Sequence, residues 1–479
     1  MLFNSIQFLI YLPIVFLIYW ALREKLKWQN LFVVIASYIF YGWWDWRFLI
    51  LIAITTGSSF LSGILLEKAE RNRKRQKWIS ASNIILNLSI LGVFKYFNFF
   101  SENLAALFNQ IGYKLDWVTL DIILPVGISF YTFQSISYTI DVYQHKIKAT
   151  KDGIAFFAFV SFFPQLVAGP IERATNLLPQ FLHPRHFDYA QAVDGLRQML
   201  WGFFKKMVVA DNCAVIVNSI FNDYQNMGGA ELFLGAFLFS FQIYGDFSGY
   251  SDIAIGTARL FGINLMQNFN YPYFATNISD FWRRWHISLT TWFRDYIYIP
   301  LGGNRAGTPR LIINTLIVFG VSGIWHGANW TFICWGLYHA LLFTPLILFQ
   351  SLKGKKENTE CNGALTSVTR CIQMGMTFFL VMLGWVLFRA ENMVQAGEYL
   401  ARMFTQFQFT MPGHGKRLIL LVFLMLAAEW IQRNRQHVLQ LEHFKIFKYR
   451  LIRYALYYGL IIAIANGSTE KATFIYFQF

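Results

Sequence analysis

The chain has 479 residues, of which 56% are hydrophobic, 19% aromatic and only 14% charged, with a mean hydropathy of +0.39. Soluble domains carry roughly a quarter charged residues, so a soluble multidomain enzyme is excluded and a membrane protein is expected. The 41 Lys and Arg exceed the 26 Asp and Glu by 15, but this excess sits in short loops between apolar runs, where it sets membrane orientation and does not mark a nucleic-acid surface.

The N-terminal stretch MLFNSIQFLIYLPIVFLIYW lacks a basic leader and a small-residue cleavage site, and reads as a first transmembrane helix instead of a signal peptide. Further apolar stretches begin near Leu31, Phe48, Ile79, Leu120, Ile154, Met199, Leu232, Leu311, Trp335, Met374, Leu418 and Leu451. Several are shorter than the ~20 residues a crossing needs, so about ten to twelve crossings are expected, with re-entrant or amphipathic helices besides. Arg23, Lys25 and Lys27 follow the first run, and residues 67–77 (EKAERNRKRQK) follow the third. Two basic loops separated by two crossings lie on one side, the cytoplasmic one, so the N-terminus is expected outside. The basic stretch 433–453 is expected in the cytoplasm, and the run 451–465 then returns the C-terminus to the outer side. No internal repeat of 20–50 residues is present. The polar stretch 352–363 is the one soluble linker, and residues 262–308, polar, aromatic and rich in Gly and Pro, are irregular chain of the kind tolerated at membrane depth only when buried in protein or facing water.

Residues 280–296 (DFWRRWHISLTTWFRDY), placed on one helix, put Trp282, Trp285, Leu289, Trp292 and Phe293 on one face and Arg283, His286, Thr290 and Arg294 on the next. Such a helix either lies on anionic lipid or offers its Arg stripe to donor phosphates, with His286 near the reacting end. Residues 323–330 (GIWHGANW) place His326 in a strongly apolar stretch, where ionisable groups usually face a pathway or a reaction site. Gly323 and Gly327 beside it would let a substrate approach closely; a hydrogen-bonded structural histidine is the plainer alternative. On a continuous helix His339 stands about 220° around from His326 and cannot share a metal with it.

Residues 162–173 (FFPQLVAGPIER) read as a broken helix end with an ion pair of Glu172 and Arg173. Asp246 and Asp252 in 245–252 (GDFSGYSD) fall about 120° apart on a helix, too far for a paired acid–base role. His183 and His186 are separated by the helix-breaking Pro184, and no third ligand follows. The cysteines, Cys213, Cys334, Cys361 and Cys371, have no metal or disulfide spacing. No metal site is expected. The last six residues, FIYFQF, are either a terminal aromatic anchor or a carrier, since Tyr476 is their one nucleophilic side chain and its aryl ester would release an acyl group readily.

Taken together, the N-terminal LFNSIQFLIYLP, the central FFPQLVAGPIER, QMLWGFFKKMVVAD from Gln198, DFSGYSDIAIG, RRWHISLTTWFRDYIYIPLGGNR, SGIWHGANW and the terminal FIYFQF resemble the membrane-bound O-acyltransferase (MBOAT) family, in its bacterial branch of alginate and peptidoglycan O-acetylation. The resemblance spans nearly the whole chain and rests on the order of the motifs. It implies an all-α polytopic fold around a central tunnel, a single domain over 1–479 divided into N-terminal helices (1–100), a catalytic core (120–345), C-terminal helices (364–466) and a C-terminal acyl-acceptor motif (467–479). It further implies transfer of an acetyl group from acetyl-CoA, with no bound cofactor, to an extracytoplasmic SGNH-type transferase that modifies a polysaccharide, from a bacterial cytoplasmic membrane with membrane lipids around the chain. His326 and His286 match the family's two characteristic histidines and Tyr476 its acyl-bearing tyrosine; Arg283, Arg284, Trp285, Trp325 and Asn329 are the expected substrate contacts. A D-alanyl or lipid acyltransferase of the same family, or a transporter without a covalent step, is the alternative; transporters often show two repeated halves, which this chain lacks.

Overall fold

A computed structural model of the chain describes residues 1–113, 124–167, 169–305, 307–353, 367–406, 415–467 and 474–475. The start of the run near Leu120, most of the linker 352–363, Cys361 and Tyr476 lie outside the described residues. Those described are helical or irregular, with no strand among them. Among the described residues five helical segments are long and apolar enough to cross a membrane: Trp46–Lys68, Arg73–Gln110, Thr308–His326, Trp330–Phe349 and Val368–Arg389, with Ile6–Ala21 a shorter apolar helix. Their outward faces carry large apolar side chains such as Ile50, Leu61, Leu86, Ile317, Leu341 and Ile372, as lipid contact requires.

The chain divides into two compact units. The first, Met1–Met199 with Ile253–Met266, contains α1 (Ile6–Ala21), α2 (Leu26–Gly42), α3 (Leu49–Lys68), α4 (Arg73–Leu91), α5 (Phe97–Gln110), α6 (Ile128–Tyr143), α7 (Gly153–Ser161), α8 (Phe163–Leu166), α9 (Ala174–Leu182) and most of α10 (Tyr189–Phe203). Ser5 caps α1 by accepting the Phe8 amide. The buried side of α1 bears Phe8, Val15 and Tyr19, and the Tyr19 hydroxyl donates to the Phe261 carbonyl at 2.8 Å. Glu172 is buried; it accepts from Asn176 Nδ2 at 2.7 Å and from the Met266 amide, and the charge of neighbouring Arg173 also acts on this carboxylate. In the His-Pro-Arg-His stretch both histidines are exposed, while buried Arg185 donates to Gln29 Oε1 at 2.8 Å and Asn30 Oδ1 at 2.6 Å.

The second unit, Leu200–Asp252 with Gln267–Phe479, holds α11 (Asp211–Asn222), most of α12 (Gly229–Leu260), α13 (Ile278–Arg284), α14 (Ile287–Phe293), α15 (Thr308–His326), α16 (Trp330–Lys353), α17 (Ser367–Arg389), α18 (Met393–Thr405), α19 (Lys416–Ile431) and α20 (Arg450–Ala465). Its centre is a bed of fully buried rings that includes Trp285, Trp335, Trp385 and Tyr244. Within a membrane such rings join helices by van der Waals packing and not by release from water. The apolar run from Leu311 to Leu342 is two helices and not one, because Gly327 is extended and Asn329 caps the next helix by accepting the Thr331 amide at 3.0 Å. The resulting hairpin of α15 and α16 packs backbone to backbone: a methyl group on Gly323 would fall on the Phe332 carbonyl, and one on Gly336 on the Phe319 carbonyl.

Candidate active site

Residues 280–296 do not form the single amphipathic helix that their periodicity predicts. The helix breaks at Trp285, which is extended, and at His286, which takes a left-handed conformation with φ 44° and ψ 54°. That conformation is uncommon for a residue other than glycine. It is held by the loop before α13: the Asn270 amide donates to the Arg284 carbonyl at 3.0 Å and the Ile287 amide to the Asn268 carbonyl at 2.9 Å. Asn268, fully buried, turns its Oδ1 to three groups of the turn: His286 Nδ1 at 3.1 Å, Ser288 Oγ at 2.9 Å and the Ser288 amide at 3.3 Å. The side chain of Asn268 therefore caps α14 and orients the imidazole in one contact set. His286 is 1% exposed, and burial pulls its pKa down to about 3, which leaves the ring neutral.

The break separates His286 from the Arg stripe. Arg283 is exposed, whereas Arg284 pairs with Asp280 at 2.9 Å and lines a polar cavity of about 780 Å³ together with Arg370, Trp430, Arg433 and Arg435. Arg433 stacks on Trp430, 4.5 Å from the ring centroid. Four guanidinium groups and an indole are the side chains that recognise phosphates and a heteroaromatic base. The aromatic side of 280–296 is buried inside the unit: Trp285 packs on Trp385 at 4.9 Å and on Phe269 at 5.1 Å, which overturns the lipid-surface reading.

His326 is the last residue of α15 and is 4% exposed. Its ring stands edge-on to three others, Trp325 at 4.8 Å, Trp335 at 4.9 Å and Phe388 at 5.2 Å. The flanking glycines serve packing and not substrate access, since the Phe332 side chain and carbonyl occupy the space beside Gly327 and Gly323. Trp325 lies between the two histidines, 6.0 Å from the His286 ring. Trp335 likewise bridges His326 and His339, 5.1 Å from the latter; because the helix is interrupted, the angular separation expected for a continuous helix does not apply to this pair. His339 is fully buried, and neither ring nitrogen has a hydrogen-bond partner among the described residues. Asn329 is engaged on both polar atoms, its Nδ2 donating to the Glu391 carbonyl at 2.7 Å and its oxygen capping α16.

The sequence reading missed a buried ionic layer. Residues 204–210 form a wide π-type turn between α10 and α11, a distortion frequent at functional sites. Lys205 pairs with Asp252 at 2.6 Å, and Lys206 pairs with Asp211 and Asp246, both at 2.7 Å. Gly249 makes the approach of α12 to this turn feasible, since a methyl there would lie 2.8 Å from the Gly202 carbonyl. The Ile475 amide donates to Asp246 Oδ2 at 2.7 Å, and Phe474 packs on Tyr250 with ring centroids 4.2 Å apart. Phe247 completes the connection, 6.2 Å from Phe474 and 4.6 Å from the His286 ring. Adjacent lysines, and acids six apart on α12, were visible; what joins them is long-range packing. Among the described residues Cys213, Cys334 and Cys371 are free thiols, and no three His, Cys, Asp or Glu side chains cluster as a metal site would require.

Comparison with known proteins identifies the family of the chain. The model of the membrane-bound O-acyltransferase family matches residues 151–352. The chain is 40% identical over 418 residues to a protein of Azotobacter vinelandii named "Probable alginate O-acetylase AlgI", covering 87% of this chain and 80% of the relative. It is 36% identical over 433 residues to the peptidoglycan O-acetyltransferase of Helicobacter pylori, covering 84% and 80%. It is 28% identical over 277 residues to the teichoic acid D-alanyltransferase of Bacillus subtilis, covering 56% and 69%.

Proposed function

Because the chain belongs to the membrane-bound O-acyltransferase family, and is therefore a membrane O-acyltransferase, we propose that it carries an acetyl group from cytoplasmic acetyl-CoA to an extracytoplasmic SGNH-type transferase. That partner then O-acetylates a cell-envelope or exported polysaccharide, the class to which the alginate and peptidoglycan of the relatives' names belong. The crossings, about ten to twelve, surround a tunnel, with both termini outside a bacterial cytoplasmic membrane.

The convergence of His326, His286 and the residues just before Tyr476 within one unit carries this reading. The cavity of Arg284, Arg370, Arg433 and Arg435 receives the donor's phosphates, and Trp430 its base. The thioester reaches the imidazole of His326 at the end of α15. His326 takes the proton of the accepting hydroxyl, that of Tyr476, whose oxygen attacks the thioester carbonyl. The carbon–sulfur bond breaks, and the departing thiolate recovers the proton from His326. Proton transfer of this kind contributes about 10² to 10⁴ in rate. The aryl ester so formed keeps enough transfer potential to pass its acetyl group to a hydroxyl of the partner, which regenerates the tyrosine. His286 is a neutral hydrogen-bonding group, oriented by Asn268, on the opposite side of Trp325. The mechanism requires no metal.

The test is reconstitution in sealed vesicles with labelled acetyl-CoA offered on one side at a time. Label should appear on the protein only from the side exposing residues 67–77, and should be lost in His326→Ala. Labelling from the other side alone, or by D-alanyl donors and not by acetyl-CoA, contradicts the reading; the second outcome would favour the chemistry named for the Bacillus relative.

A further inference from the structure

We propose that Asp246 is the receptor for the C-terminal segment and that Lys206 and Asp211 keep this receptor poised within the bundle, so that a buried ionic layer positions the tail beside the acyl-transfer site. Its consequence for catalysis rests on the acyl relay proposed above; the docking itself does not.

Each oxygen of Asp246 has its own partner. Oδ1 faces the Lys206 ammonium at 2.7 Å, and Oδ2 accepts the Ile475 amide at 2.7 Å. The same ammonium meets Asp211 at 2.7 Å. Lys206, Asp211 and Asp246 are each no more than 2% exposed. One buried cation facing two carboxylates leaves negative charge to be compensated, and a buried carboxylate without sufficient donors is strongly destabilising. An amide donating to that charge makes a short, strong hydrogen bond. Asp211 already supplies Lys206 with a counter-ion, so a second acid is not needed to neutralise the lysine; what distinguishes Asp246 is its bond to the tail.

Side-chain packing reinforces the polar contact. Phe474 and Ile475 are 0% and 1% exposed, and Phe474 rests on Tyr250, one helical turn beyond Asp246 on α12. Phe247, next to Asp246, has Phe474 on one side and the His286 ring on the other. The tail is thus anchored one residue before Tyr476, and one residue of extended chain reaches about 3.3–3.6 Å. The assigned occupant is a segment of the chain itself, held by a backbone hydrogen bond and a ring slot, and Asp246 is a positioning residue for it.

The test uses the full-length protein in detergent, with carboxypeptidase digestion followed by intact mass. Trimming of the native chain should halt no further than Ile475. In Asp246→Asn, which keeps size and removes charge, and in Phe474→Ala, which empties the ring slot on Tyr250 and leaves the ionic layer untouched, digestion should pass residue 474 at least tenfold faster, with melting temperatures near native. Equal trimming of native and both variants overturns the docking. In the acetylation assay Asp246→Asn should lower kcat with donor KM unchanged; unchanged kcat overturns the positioning role. If Tyr476→Phe is fully active while Asp246→Asn still frees the tail, the docking stands and the relay falls; if Asp246→Asn and Phe474→Ala leave the tail held while Tyr476→Phe is dead, the relay stands and this receptor falls.

Discussion

His286 and His326, both in the second unit, have different surroundings. His286 sits in a left-handed turn, fixed through Nδ1 by an asparagine that also caps the following helix. His326 ends a helix among three edge-on rings, in a hairpin whose close packing depends on glycine. A ring set by a directional hydrogen bond suits orientation, whereas one enclosed by apolar edges suits a base that must take up and return a proton away from water. That difference is why proton transfer is proposed for His326 and positioning for His286.

The largest expected effect is on His326. His326→Ala should lower acetyl transfer by about 10² to 10⁴, while the variant still inserts and folds, judged by membrane abundance and melting; equal activity at matched abundance would remove it from the mechanism. His286→Ala should cost less, about 10²-fold through misplacement, and Asn268→Ala should reproduce part of that loss with His286 intact. If Asn268→Ala is silent, the contrast between the two rings fails.

The donor cavity gives a smaller, separable effect. Arg284→Ala and Arg433→Ala should raise the KM for acetyl-CoA with little change in kcat, since phosphate contacts far from the reacting carbonyl bind ground and transition states alike. Arg283→Ala should change neither, as its side chain is exposed and does not line the cavity. The smallest effect concerns pH. Burial lowers the His286 pKa to about 3, so its neutral form prevails above that value and its charging belongs only to pH near or below it. Rate profiles of Asn268→Ala and the native enzyme should therefore be parallel between pH 5.5 and 8.5, because burial and not the Asn268 contact keeps the ring neutral; a new acid limb in the variant would show that the ring stays buried only while Asn268 holds it.

Much of this was legible in the sequence, and the failures share a physical cause. The low charge and the apolar runs give a membrane protein, and the isolated His326 stands out because ionisable side chains are costly there. The break at His286 was not visible, because the 3.6-residue periodicity continues through 280–296 while the turn is imposed by Asn268, 18 residues away. Gly323 was read as room for a substrate; it is room for the carbonyl of Phe332 on the next helix. The lysines of the QMLWGFFKKMVVAD segment meet α12 acids 40 and 47 residues distant, a pairing that local pattern cannot encode. Local rules located the chemistry-bearing residues, and tertiary contacts decided which of them meet.

The most direct measurement of the central claim is peptide mass spectrometry of the C-terminal segment after incubation of the full-length enzyme with labelled acetyl-CoA. An added acetyl group is expected on Tyr476 in the native protein, none in His326→Ala, and no transfer to polymer by Tyr476→Phe, which retains the ring and loses one oxygen. Normal polymer acetylation by Tyr476→Phe would contradict the claim and require the acetyl group to pass directly from donor to partner at His326.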